Sequence, residues 1–109
     1  MGLSKTEKFT ADQNQIAALA KVLGHPARIA ILEYLASYNS CVCGDIVEEL
    51  PLSQSTVSQH LKELKKVGLI KGTIEGPSVC YCIEMGAWEK AKGLLHGFFE
   101  TVEVNMKCC

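Results

Sequence analysis

Three pairs of cysteines carry most of the reactive chemistry in this sequence: Cys41 and Cys43, Cys80 and Cys82, and Cys108 with Cys109. Residues two apart lie about 200° apart around a helix and do not readily share an ion, whereas in an extended segment they point the same way. Cys41 and Cys43 stand at the strand-like start of a helix, so they converge on one ion if the backbone there stays extended. Cys80 and Cys82 alternate with Val79, Tyr81 and Ile83, which puts both on one face of a strand. Cys108 and Cys109 are adjacent on a C-terminal tail expected to move freely. Soft thiolates of this kind suit As(III), Sb(III), Cd(II), Pb(II) and Cu(I). As(III) takes three thiolates in a pyramid, so Cys41 and Cys43 need one more. Free cysteine is also a small buried hydrophobe. That packing role outweighs ligation for Cys80 and Cys82 and balances it for Cys108 and Cys109.

The element that must position Cys41 and Cys43 leads into residues 53–70, SQSTVSQHLKELKKVGLI. On a helical wheel Leu61 and Leu64 fall within about 40° of Val57, while Ser55, Gln59, Lys62 and Lys66 lie opposite. One face is core and the other is polar and basic. Ser53 is a good N-cap, and Gly68 is placed to end the helix in a left-handed conformation. Upstream, Gly44–Leu50 reads as a short helix, with Pro51-Leu52-Ser53 as the turn between the two. Helix, three-residue turn and helix is helix-turn-helix spacing. An ordinary amphipathic surface helix is the weaker alternative, because a wing follows. Leu69–Ile74 and Val79–Ile83 are strand-like runs separated by Glu75-Gly76-Pro77-Ser78, residues that turns require.

The expected architecture is mainly α with a small β-hairpin wing, a winged helix-turn-helix in the order α-α-α-α-β-β-α. Ala11–Leu23 repeats apolar residues at Ile16, Leu19, Ala20 and Leu23, and Pro26 starts a second helix through Ile29, Leu32 and Leu35. The last helix, about 85–104, places Trp88, Ala91, Leu95, Phe98 and Val102 at helical spacing. Leu94 and Phe99 broaden that stripe beyond what one side of a small domain covers, so the first and last helices are the expected dimerisation elements.

At 109 residues the whole chain, 1–109, fits one domain with one modest core. It has no apolar run approaching the ~18 residues of a membrane span and no signal-type segment near its start, so the expectation is a cytoplasmic protein with no membrane partner. In that compartment cysteines serve as ligands or reactive thiols rather than as a disulfide framework. The net charge of −1 argues against nucleic acid only as a sum. Residues 54–72 hold Lys62, Lys65, Lys66 and Lys71 against Glu63, a local +3 that leaves −4 for the rest.

With these residues in view, the chain resembles the ArsR/SmtB family of winged-helix, metal-responsive repressors, and within it the arsenical-resistance regulators. The resemblance rests on LGHPARIAIL at 23–32, CVCGDIVEEL at 41–50, the helix at 53–70 and GTIEGPSVCYCI at 72–83. It implies that Cys41 and Cys43 form the thiolate sensor, which makes packing the weaker role for that pair. The family's box carries a third cysteine a few residues into the helix. Here Gly44 looks like an insertion and Val47 stands at that position. Cys108 or Cys109, reaching in on the tail from either protomer, is the expected third ligand, whereas Cys80 and Cys82 are fixed in the wing and become the sensor candidates only if Cys41 and Cys43 are not the site. The family's zinc site on the last helix is too sparse here, with His96 beside Glu100 or Glu103.

The sequence thus points to a homodimeric repressor on double-stranded operator DNA, released by As(III)/Sb(III) or another thiophilic ion, with no organic cofactor. Gln54, Ser55, Thr56 and Gln59 are expected at base edges, where an amide pairs with adenine through two bonds. Lys62, Lys66 and Lys71 serve phosphates, and the wing tip at Gly76 and Ser78 adds a backbone contact. His60, on the flank of the helix, either touches phosphate or packs, and His25 is a helix-start residue beside Pro26. Rivals within the fold are a sensor of Cd, Pb, Zn or thiol oxidants, and a constitutive regulator. A thiol enzyme or metal carrier is disfavoured, because there is no Cys-x-x-Cys, phosphate loop or nucleophilic Cys/His/Asp set.

Overall fold

Helix α1 (Ala11–Leu23) opens with a capping box, in which Thr10 and Gln13 satisfy each other's backbone N–H groups. The computed structural model describes residues 8–38, 40–43, 46, 50–75 and 78–105. After α1 the chain forms α2 (Pro26–Ala36), β1 (Val42–Cys43), α3 (Gln54–Lys66), β2 (Ile70–Glu75), β3 (Ser78–Ile83) and α4 (Met85–Asn105). Pro26 sits in the first turn of α2, where its missing N–H costs nothing. The expected short helix at 44–50 falls largely outside the described residues. Within it Ile46 is helical and buried.

The core gathers Leu19 and Val22 of α1, Ile31, Leu32 and Leu35 of α2, and Val57, Leu61 and Leu64 of α3. Val42, Ile46, Leu69 and Ile70 complete it. In α2 the buried set includes Ile31 in place of the expected Ile29, which is 40% exposed. This apolar burial holds the helices together, at about 1.5–3 kcal/mol for each fully buried aliphatic side chain.

Helix α3 ends as its sequence suggests. Gly68 has φ 85°, its N–H donates to the Lys65 carbonyl, and the Leu69 N–H donates to the Leu64 carbonyl. This pair of bonds is the Schellman arrangement, with Leu64 and Leu69 supplying its apolar contact. The turn delivers the chain straight into β2. Strands β2 and β3 pair antiparallel from Ile70↔Ile83 to Glu75↔Ser78. Glu75 and Ser78, expected in the turn, are therefore paired strand residues, and residues 76 and 77 lie outside the described residues.

The sheet departs from a plain hairpin. It has three strands in the order β1-β3-β2, so β3 is central and β1 adds an edge absent from the expected element order. A two-residue strand is too short to show alternation, which is why the sequence did not reveal it. The molecule measures 53 × 40 × 26 Å, with a Cα radius of gyration of 16.9 Å, against about 13 Å for a compact chain of this length. No helix among the described residues is long and apolar enough to cross a membrane.

Candidate nucleic-acid interface and thiol centre

The outer face of α3 is built by its own cap and stripe. Val57, Leu61 and Leu64 turn inward, and Gln54, Ser55, Thr56, Gln59, Lys62 and Lys66 are exposed. The Ser53 hydroxyl accepts from the Thr56 backbone N–H at 3.3 Å and lies 2.9 Å from the Thr56 hydroxyl and 3.3 Å from that of Ser55. These hydroxyls hold the first turn, where a helix presents free N–H groups and its positive dipole end. The Gln59 amide leans along the helix and donates to the Glu63 carboxylate at 3.4 Å, so it must release that contact to reach a base.

His60 does not belong to this face. Its side chain is buried at 7% exposure, and its Nδ1 accepts from the Arg28 guanidinium at 3.1 Å. The His25 ring lies 4.4 Å from its own, centroid to centroid. Burial, followed by the neighbouring His25 and Arg28, lowers the His60 pKa below its ordinary 6.5 and keeps the ring a neutral acceptor. Arg28 also donates to the Val22 carbonyl at 3.2 Å, so the cluster ties α1, α2 and α3 together. The wheel position of His60, about 60° from the core direction, left both roles open; the arrival of Arg28 from α2 decides for packing. His25 caps α2, its Nδ1 accepting from the Ala27 N–H at 3.1 Å.

Lys71 stands on β2 opposite Cys82, exposed and on the sheet face that carries the thiols. Gly76 lies outside the described residues. Ser78 is described through its pairing with Glu75.

The thiol centre is assembled by strand register. Val42 pairs with Tyr81 and Cys43 with Cys80, antiparallel. Cys41 and Cys82 continue this register, so all four sulfurs share one face of the β1–β3 ladder. The facing Cα atoms are 4.4 Å apart for Cys41 and Cys82 and 4.1 Å for Cys43 and Cys80, and each pair is joined as a disulfide. Separations this short belong to the non-hydrogen-bonded positions of an antiparallel ladder, where side chains come closest. Cys80 has no exposed surface, Cys43 is exposed, and Cys41 and Cys82 are half-buried. An open cleft of about 380 Å³ adjoins the Cys41–Cys82 pair, with Tyr38, Lys71 and Trp88 among its walls.

Cys80 and Cys82 therefore do not sit apart from Cys41 and Cys43, as a hairpin-only wing would leave them. Cys108 and Cys109 lie outside the described residues. As they stand, the described residues form no group of three or more His, Cys, Asp or Glu that could hold a metal ion. On α4, His96 pairs with the exposed Glu100 carboxylate.

The last helix divides the expected stripe. Trp88, Ala91 and Leu95 pack against the core, while Phe98, Phe99 and Val102 are 52%, 67% and 61% exposed. The apolar surface left bare is thus the C-terminal half of α4, without Trp88 and Leu95.

Comparison with known proteins places this architecture. The pattern for bacterial regulatory proteins of the arsR family matches residues 25–71, which span α2 to the start of β2. The chain is 31% identical over 96 residues to the HTH-type transcriptional regulator CmtR of Mycobacterium tuberculosis, covering 88% of this chain and 80% of that protein. It is 38% identical over 50 residues to the arsenical resistance operon repressor of Staphylococcus xylosus, covering 46% of this chain and 47% of the repressor. Its fold matches the homodimeric winged helix-turn-helix DNA-binding domain Mb0332 of Mycobacterium bovis, with TM-score 0.63, 24% identity, and coverage of 100% and 99%. This protein belongs to the arsR family of winged-helix transcriptional regulators.

Proposed function

We propose that the protein is a homodimeric repressor that binds operator DNA through α3 and the wing. In this reading it releases DNA when a thiophilic ion, arsenite or antimonite foremost, is captured through Cys41 and Cys43. The observation that carries the reading is the placement of these cysteines. Cys43 ends β1, Cys41 immediately precedes that strand, and α3 is the next described helix along the chain, presenting an exposed polar and basic face. Gln54, Ser55, Thr56 and Gln59 read bases, and Lys62, Lys66 and Lys71 meet phosphates, with Gly76 and Ser78 at the wing tip. His60 acts behind this face as a packing residue.

Drawing Cys41 and Cys43 onto one ion moves the segment that supports α3, so the DNA-competent geometry becomes less populated. The coupling is reciprocal: a hundredfold loss of DNA affinity, about 2.7 kcal/mol, implies an equal loss of ion affinity on DNA. The similarity to a repressor of arsenical resistance supports arsenite as the first ion to test. The bare Phe98, Phe99 and Val102 surface supports a partner copy on α4, as does the homodimeric structural relative. Sedimentation of the ion-free protein should give a dimer at micromolar concentration.

A second reading is favoured by the joined sulfurs themselves: a thiol oxidant acts in place of the ion. Operator binding titrated in turn with arsenite, Cd(II), Zn(II) and peroxide separates the two. Release by arsenite, lost in Cys41→Ser and Cys43→Ser while operator binding persists, is the expected result. If both variants respond to arsenite like the unaltered protein, the sensor lies elsewhere.

A further inference from the structure

We infer that Cys80 and Cys82 of the wing strand complete the ion site, so that Cys41, Cys43, Cys80 and Cys82 of one protomer form a single four-sulfur centre for a thiophilic ion. The inference rests on the sensor reading of Cys41 and Cys43 and supplies the ligands that a Cys-x-Cys lacks. Its basis is the ladder. Register and disulfide pairing place the four residues at two successive facing positions on one side of β1 and β3. Facing Cα atoms are 4.1 and 4.4 Å apart, and successive same-face positions along a strand are about 6.6 Å apart. The centre of such a patch lies about 3.9 Å from each corner, somewhat beyond the reach of a cysteine side chain at bonds of about 2.3 Å, so an ion that gathers the sulfurs also draws in the backbone of the two-residue edge strand β1. Cys41 and Cys82 line an open cleft and Cys43 is exposed, which gives the ion and a reductant access.

The centre has two mutually exclusive states. In the oxidised state the sulfurs are the two cross-strand disulfides. A dithiol reductant delivers two electrons and two protons to each, and leaves as its own disulfide. The four thiols then bind Cd(II) and pass their protons to water. Arsenous acid engages three of them: three As–S bonds form, three As–O bonds break, and three waters leave. Because β3 is also the central strand of the wing, the ion clamps the segment leading to α3 onto the wing and ties both DNA-reading elements to one event.

The test uses the full chain, reduced with a phosphine under anaerobic conditions, with Cd(II) alone and arsenite alone as probes. Sulfur-to-metal charge-transfer absorption reports binding, and a thiol-reactive dye counts the sulfurs left free. We expect one ion per protomer, with four thiols protected by Cd(II) and three by arsenite. Cys82→Ser and Cys80→Ala should each weaken Cd(II) by more than the roughly tenfold that loss of a supporting group gives. Deleting residues 108 and 109 should change nothing. Ion-free operator binding shows that each variant is folded, and half-buried Cys82 serves where buried Cys80 is not tolerated. Unchanged affinity in the Cys82 variant, with loss on deleting the tail, overturns the four-sulfur centre and leaves the Cys41/Cys43 sensor standing. Undiminished arsenite release from Cys41→Ser and Cys43→Ser overturns the sensor instead.

Discussion

Helix α3 and the β1–β3 ladder present the polar chemistry of this molecule, and they are held in opposite ways. In α3 every feature that makes the exposed polar and basic face lies within about four turns of one segment: the Ser53 cap, the Val57, Leu61 and Leu64 stripe, and the Gly68 termination. The ladder brings together residues 37 and 41 positions apart and depends on everything folded between them. A locally specified element keeps its shape when its surroundings shift. A ladder made from a two-residue edge strand has few hydrogen bonds of its own and is held by its two cross-strand disulfides, so its shape depends on the state of its sulfurs. The helix surface is fixed by its own segment and the thiol surface by the chemistry of its sulfurs, the division that the proposed ligand control of DNA binding would use.

The largest effect is expected where α3 meets the core. Leu64 is fully buried, so Leu64→Ala should lower the unfolding free energy by about 2–5 kcal/mol, read by chemical denaturation. A loss under about 1 kcal/mol would show that α3 does not depend on the core in this way. Next, reducing both disulfides should lower stability by about 2–4 kcal/mol while operator binding persists. An unchanged denaturation midpoint with and without reductant would remove the ladder from the stability of the fold.

Smaller effects test the reading face. Gln59→Ala should cost roughly 1–3 kcal/mol on the cognate operator and much less on random DNA. Lys66→Ala should weaken all sequences and reduce the salt slope by about one unit. Equal, salt-independent losses for both variants would contradict their assigned roles. Ser53→Ala should remove about 1 kcal/mol by freeing the first turn of α3, measurable in the same denaturation series.

The smallest effect is the pH dependence of the His60 cluster. Its folded pKa lies below the ordinary 6.5, so the unfolded chain binds the proton more readily. Its contribution to stability is therefore complete above 6.5 and declines as pH falls below that value. Protonating Nδ1 removes the acceptor that Arg28 uses and sets two cations side by side. His60→Gln should flatten the decline between about pH 7 and pH 5. An equal slope in both proteins would assign the acid sensitivity elsewhere.

What the sequence determined by itself is what short-range physics encodes. The α3 stripe, the Ser53 cap, the left-handed Gly68 and the strand alternation of 79–83 are legible because 3.6- and 2-residue periods and caps are local. The shared face of Cys41 with Cys43, and of Cys80 with Cys82, is local in the same way. So is the excess apolar surface of the last helix, though only the packed fold separates Trp88, Ala91 and Leu95 from Phe98, Phe99 and Val102. Three things required tertiary structure. The pairing of β1 with β3 joins two cysteine pairs that look independent along the chain, since no periodicity encodes a register across some 40 residues. The inward turn of His60 depends on a hydrogen-bond partner 32 residues away on another helix. The position of Lys71 beside Cys82 follows from the hairpin register, which puts a lysine expected at phosphate on the same face as the thiols. Each is a contact between segments distant in sequence, decided by which surfaces the core brings together.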